Sequence, residues 1–177
     1  MTTQRIAVAA TACVLLGLFL IPLFSRIPET RYSPDANRCM SNVKQLGTAM
    51  AIYTGETDGV LPPSSWVVPL KPIANTQPNW SIPDDGIWSC PDILAQHKHG
   101  GYAMNSELMG TRIDDYEEIA RTIMFFETDA LGIDVIANLA ARSGRHSGGS
   151  NYAALDTHAA YRKLGEAPGE KLVNRKD

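Results

Sequence analysis

The stretch Pro34-Asp-Ala-Asn-Arg-Cys-Met-Ser-Asn-Val-Lys-Gln-Leu-Gly-Thr-Ala-Met-Ala-Ile-Tyr53 decides the fold. Within it Cys39, Val43, Leu46, Met50 and Tyr53 recur at alternating steps of four and three, which places them on one face of a helix. Asn37, Lys44 and Thr48 fall on the opposite face. Ser33 is placed to cap this helix. Pro34 suits its first turn, where a missing N–H has no intrahelical partner, and Asp35 meets the positive end of the dipole. Gly55 and Asp58-Gly59 stop it. A helix with one apolar stripe must bury that stripe against another element, and the residues that follow have to supply it.

From Val60 to Ile93 the chain carries Pro62, Pro63, Pro69, Pro72, Pro78, Pro83 and Pro91 with Trp66, Trp80 and Trp88. Prolines at this density predict irregular loops rather than helices or central strands, pinned by tryptophans that plug the core. Strand signals come later. Thr122 to Thr128 is rich in β-branched and aromatic residues, and Ile133 to Ile136 follows a turn at 129–132. Ser150 to Leu155 and His158 to Arg162 flank Asp156-Thr157, which reads as a two-residue hairpin turn. The fold class expected is α+β: an N-terminal transmembrane helix, then the amphipathic helix packed on a small antiparallel sheet, with long Pro/Trp-rich loops.

The transmembrane expectation rests on Ile6 to Phe24, which contains no charged residue and is flanked by Arg5 and Arg26. Such a run reaches about 28 Å as a helix, close to the roughly 30 Å of bilayer hydrocarbon. It is longer than the apolar part of a secretory signal, and Phe24-Ser-Arg-Ile-Pro28 is a poor cleavage site, so it reads as a retained anchor in contact with lipid. The chain then divides into a short segment 1–5, an anchor 6–24, a juxtamembrane linker 25–34, a soluble domain 35–164 and a frayed polar tail 165–177. A net charge of −3 argues against a nucleic-acid partner. The acidic residues Glu107, Asp114, Asp115, Glu117, Glu118, Glu127, Asp129 and Asp134 read as a solvated run rather than a cation site.

Cys13 lies inside the apolar stretch, so Cys39 and Cys90 are the only cysteines of the soluble part. An even pair in an exported domain reads as a disulfide, the alternative being two unrelated buried thiols. Among titratable groups, His146, Asp156 and His158 lie near one hairpin, and His97 and His99 near Cys90. A His-x-His pair with a carboxylate is a fragment of a zinc site, but spacing supplies no third and fourth ligand. The residues therefore read as structural. His146 would bond the backbone of a turn formed with Gly148, Gly149 and Asn151, and Asp156 would hold turn amides. No catalytic residue, cofactor, metal or small-molecule substrate is expected, and no phosphate loop or nucleophile elbow is present.

Taken in order, Cys39 to Tyr53, Asp58-Gly-Val-Leu-Pro62, Ser89-Cys-Pro91, Gly101-Tyr-Ala-Met-Asn105, Ile123 to Thr128 and Arg145-His-Ser-Gly-Gly-Ser-Asn-Tyr-Ala-Ala-Leu-Asp156 form a pattern. It resembles a family of bacterial pseudopilin-like proteins of the type II secretion and type IV pilin kind that ends in an H-x9-D-G motif. His146 and Asp156 take the motif's first two defined positions. The resemblance covers about Cys39 to Arg162. It departs at Thr157, where the family has glycine, and in lacking the prepilin cleavage stretch ahead of Ile6 or any glutamate between Ile6 and Phe24. It implies a non-enzymatic protein of the inner membrane with a cytoplasmic N-terminus and a periplasmic or external domain. Its partners would be other membrane or envelope proteins in a secretion or pilus-type assembly. An accessory subunit of another membrane complex, such as an energy-converting one, is the alternative; a metal-dependent envelope hydrolase is a remote third.

Overall fold

The computed structural model describes residues 34–76, 86–165 and 175, which belong to one compact unit, Tyr32–Asp177. Helix α1 spans Pro34–Glu56, α2 Val67–Asn75 and α3 Pro91–Leu94. Strands β1 (Gly100–Asn105), β2 (Ile123–Leu131), β3 (Val135–Ala137), β4 (Gly149–Ala154) and β5 (Ala159–Lys163) make one sheet in the order β3-β1-β2-β4-β5.

Helix α1 follows the periodicity. Cys39, Val43, Leu46 and Met50 are buried while Asn37, Lys44 and Thr48 are exposed. Its 23 residues run about 34 Å along one face of the sheet. Gly47 permits the approach: a Cβ there would stand 3.3 Å from Ala153 Cβ on β4. Trp66 fills the space between helix and sheet, edge-on to Phe125 at 5.0 Å and tilted against Trp88 at 6.0 Å. Ala103, Ile123, Phe126, Leu139 and Tyr152 form a second, smaller apolar cluster.

Several expectations need correction. Among the described residues the fold class is α+β and no helix is long and apolar enough to cross a membrane, which does not bear out the expected N-terminal transmembrane helix. The stretch Ile6 to Phe24, where it was placed, lies outside the described residues.

The sheet is mixed rather than antiparallel. β2 pairs antiparallel with β1 and β4, but β3 pairs parallel with β1. The two strands expected on either side of a turn at 129–132 are not neighbours, because β1 inserts between them. The crossing passes beside Gly100, whose φ is +103° and where a Cβ would lie 2.1 Å from the carbonyl oxygen of Gly132. Only glycine leaves room for that backbone.

The proline-rich stretch also holds a regular helix. Pro69 falls in the first turn of α2, where its absent N–H costs nothing. Pro72 lies inside, and the bond it removes would have gone to the carbonyl of Val68, a residue 71% exposed. The start of α2 is capped from far along the chain: Asp134 Oδ1 accepts from the amides of Trp66 at 2.8 Å and Val67 at 3.0 Å.

The β4–β5 turn keeps the geometry expected of glycine although the residue is threonine. Thr157 N donates to Ala154 O at 2.9 Å, Ala154 N donates to His158 O at 3.0 Å, and Thr157 has φ +72°. This is a three-residue loop with a left-handed third position. Finally, Arg175 in the tail forms a backbone bridge to Tyr116 and stands 3.3 Å from Asp115 Oδ2.

Candidate functional site

Cys39, one turn into α1, is bonded to Cys90, the residue that precedes α3, with Cα atoms 5.4 Å apart. The disulfide expected from cysteine counting is present. It closes a loop of 51 residues and, in the chain-entropy picture, stabilises the fold by about 4 kcal/mol.

Against the disulfide lies a cluster of polar side chains, buried ones from β1, β2, β4 and the loop before β4 and half-buried ones from α1 and α3. Glu127 on β2 is 0% exposed, and His146, in the loop before β4, is 5% exposed. His146 Nε2 stands 2.9 Å from Glu127 Oε1, and Nδ1 stands 3.3 Å from Asp92 Oδ2. The first distance falls within ion-pair range, yet Nε2 makes no hydrogen bond. Glu127 Oε2 accepts the backbone amide of Asn151 at 2.8 Å, and Oε1 accepts Asn151 Nδ2 at 3.2 Å. The same Nδ2 donates to the carbonyl of Ala36 at 3.0 Å, tying β4 to the first turn of α1.

Tyr102, opposite Glu127 in the β1–β2 ladder, accepts a hydrogen bond from Asn42 Nδ2 at 3.1 Å. Burial pushes the Tyr102 phenol far above its usual range, and the Glu127 carboxylate pushes it further the same way. Arg145 closes the cluster. Its Nη2 donates to Thr128 O at 2.6 Å, while its buried Nε and Nη1 have no hydrogen-bond partner.

The sequence candidates are placed unevenly. The Gly148-Gly149 turn forms, with Gly149 N donating to His146 O at 3.0 Å, but the His146 ring faces Glu127 and Asp92 rather than the turn backbone. Asn151 belongs to the buried cluster rather than to the turn. Asp156 holds a turn amide as expected: Oδ1 accepts from His158 N at 3.1 Å and lies 2.6 Å from its Nδ1. His146 and Asp156 do not share a site, because the six residues of β4 stand between them, about 20 Å of strand. His97 is exposed in a left-handed turn, and His99 uses its carbonyl to accept Gly132 N at 2.8 Å.

The acidic run is divided by the fold. Glu118 pairs with Arg121 at 3.1 Å, Asp129 accepts Ser143 Oγ at 2.7 Å, and Asp134 caps α2. Glu127 departs from the solvated reading altogether. A signal for it was present in the sequence, since it interrupts Ile-Met-Phe-Phe, a strand buried on both faces. An acid there has to be paired.

Cys39, Cys90, Glu127 and His146 each bring one ligand-type atom, and all four atoms lie within 4.8 Å of one another. Asp156 and His158 form a separate, exposed pair at the other end of β4. Compared with known proteins, the chain matches no family model, no curated protein and no solved structure.

Proposed function

We propose that this chain is a pseudopilin-like structural protein that works through protein contacts in an assembly of the bacterial envelope. The observation that carries the reading is a group of exposed apolar side chains around β3, which stands at one edge of the sheet among the described residues. Leu131 is 54% exposed, Ile133 42% and Ile136 39%, and Val68 lies on the helix that Asp134 ties to this edge. A patch of exposed aliphatic residues beside an edge strand is a surface for contact with another protein. The disulfide supports an oxidising compartment. The long helix laid on a sheet accords with the resemblance in the motifs from Cys39 to Asp156.

The test is chemical cross-linking and native mass analysis of the protein taken from its own cells. Recovery with pilin-like partners is expected, and Leu131→Glu with Ile136→Glu should reduce that recovery at least tenfold. Both side chains are already exposed, so stability should change by less than about 0.5 kcal/mol each. Recovery of the monomer alone would overturn the reading. One observation favours a second role, as accessory subunit of a different membrane complex: residues 6–24 hold no glutamate of the kind the pilin-like family carries there. Stoichiometric recovery with an unrelated complex would select that role.

A further inference from the structure

We infer that Cys39 and Cys90, once reduced, close with His146 and Glu127 into a buried four-coordinate zinc site. The donor set is two thiolates, an imidazole and a carboxylate, all groups that bind zinc. Their ligand atoms already converge to within 4.8 Å. Two sulfurs on one tetrahedral zinc stand about 3.8 Å apart at Zn–S distances of about 2.3 Å, so opening the disulfide is the main movement required.

The imidazole is oriented for the task. Nδ1 faces the carboxylate of Asp92 at 3.3 Å, leaving Nε2 as the ligand, and Nε2 is the buried nitrogen that lacks a hydrogen bond. A carboxylate behind a histidine in this way fixes its tautomer and raises its basicity as a ligand. Glu127 is held by Asn151, whose backbone amide donates to Oε2 and whose Nδ2 donates to Oε1, the oxygen that also stands 2.9 Å from His146 Nε2. Charge is also balanced. Two thiolates cancel the two charges of the ion, so the metal adds no net charge to the core. The Arg145 guanidinium, whose Nε and Nη1 are buried without a hydrogen-bond partner, lies on the Cys90 side of the cluster: a Cβ on Gly101 would stand 3.0 Å from Cys90 Cβ and 3.2 Å from Arg145 Nη1. With all four positions taken by protein, the site is of the closed, structural kind.

The steps balance with a phosphine as reductant. The S–S bond breaks and takes two electrons, phosphorus is oxidised to phosphine oxide, and water supplies its oxygen and the two thiol protons. Binding of Zn2+ then releases both protons to the buffer and forms two Zn–S bonds. The full chain, reduced without oxygen and freed of excess phosphine, is titrated with Co2+ and then Zn2+. One Co2+ per chain should bind, with the intense visible bands of a four-coordinate ion and a near-ultraviolet sulfur-to-cobalt band, and zinc should displace it. Glu127→Gln and His146→Ala should each weaken zinc at least tenfold, and Asp92→Asn about tenfold.

Weak octahedral cobalt bands would overturn the proposal, as would binding that is the same in wild type, Glu127→Gln and His146→Ala. Should reduction unfold the chain, stoichiometric zinc is expected to restore its near-ultraviolet circular dichroism. Failure to do so at tenfold excess would equally overturn it.

Discussion

Tyr102 places a phenol in the core, 1% exposed, opposite a buried carboxylate. Burial, with Glu127 adding to it, raises its folded pKa above the value of about 10 that it takes in the unfolded chain. The unfolded chain therefore releases this proton first as pH rises. The stability contributed is complete below about pH 10 and is lost above it, at up to about 1.4 kcal/mol per pH unit. Urea midpoints measured from pH 9 to 11 should fall over the upper unit, and Tyr102→Phe should flatten that fall. The variant itself starts about 1 kcal/mol less stable, because Asn42 loses an acceptor.

Thr157 is the opposite case, a residue at odds with its backbone. A left-handed β-branched residue costs about 1–2 kcal/mol, and glycine gives back part of that in unfolded-state entropy. Thr157→Gly should gain up to about 1 kcal/mol, visible as a rise of about 2–4 °C in melting temperature. An unchanged melting temperature would mean that the turn is unstrained.

At the scale of elements, the start of α2 depends on a residue 68 positions away. Asp134 accepts two backbone amides that have no intrahelical partner, and it does so from a left-handed turn of its own, φ +70°. Asp134→Ala removes the acceptor and puts a worse residue in that turn, so a loss of about 2 kcal/mol is expected in urea unfolding. Asp134→Asn keeps both properties and should lose less than half as much. Asparagine behaving like alanine would show that charge, rather than capping, holds the helix start. The same connection carries β3 past Gly100, and a strand pairing of this kind is set by what the chain must go around. For that reason the strands read at 122–128 and 133–136 were legible from their composition, while the continuation of β2 through 129–131, read as a turn, and the strand pairing were not. β1 itself, opening with two glycines, offered almost no strand signal.

For the molecule as a whole, the Cys39–Cys90 bond joins the first turns of α1 to the loop ahead of β1, directly over the buried cluster. Reduction in metal-free buffer should lower stability by up to about 4 kcal/mol, read as a drop in urea midpoint against the oxidised protein. A drop smaller than about 1 kcal/mol would mean that burial of the helix stripe holds the domain without the bond.

Local chemistry determined a good deal by itself. The apolar spacing of α1 and the aromatic start of β2 are encoded within a few residues of where they act, and counting cysteines was enough to pair Cys39 with Cys90. The candidate site was legible in pieces: His146 and the two cysteines were singled out, but separately and for other roles. Only the tertiary structure brought them together with Glu127 and Asp92 and sent Asp156 to the far end of β4. The physical reason is that ligand convergence, strand order and the depth of a carboxylate depend on distances through space, which a connection such as the crossing at Gly100 sets and sequence spacing does not record.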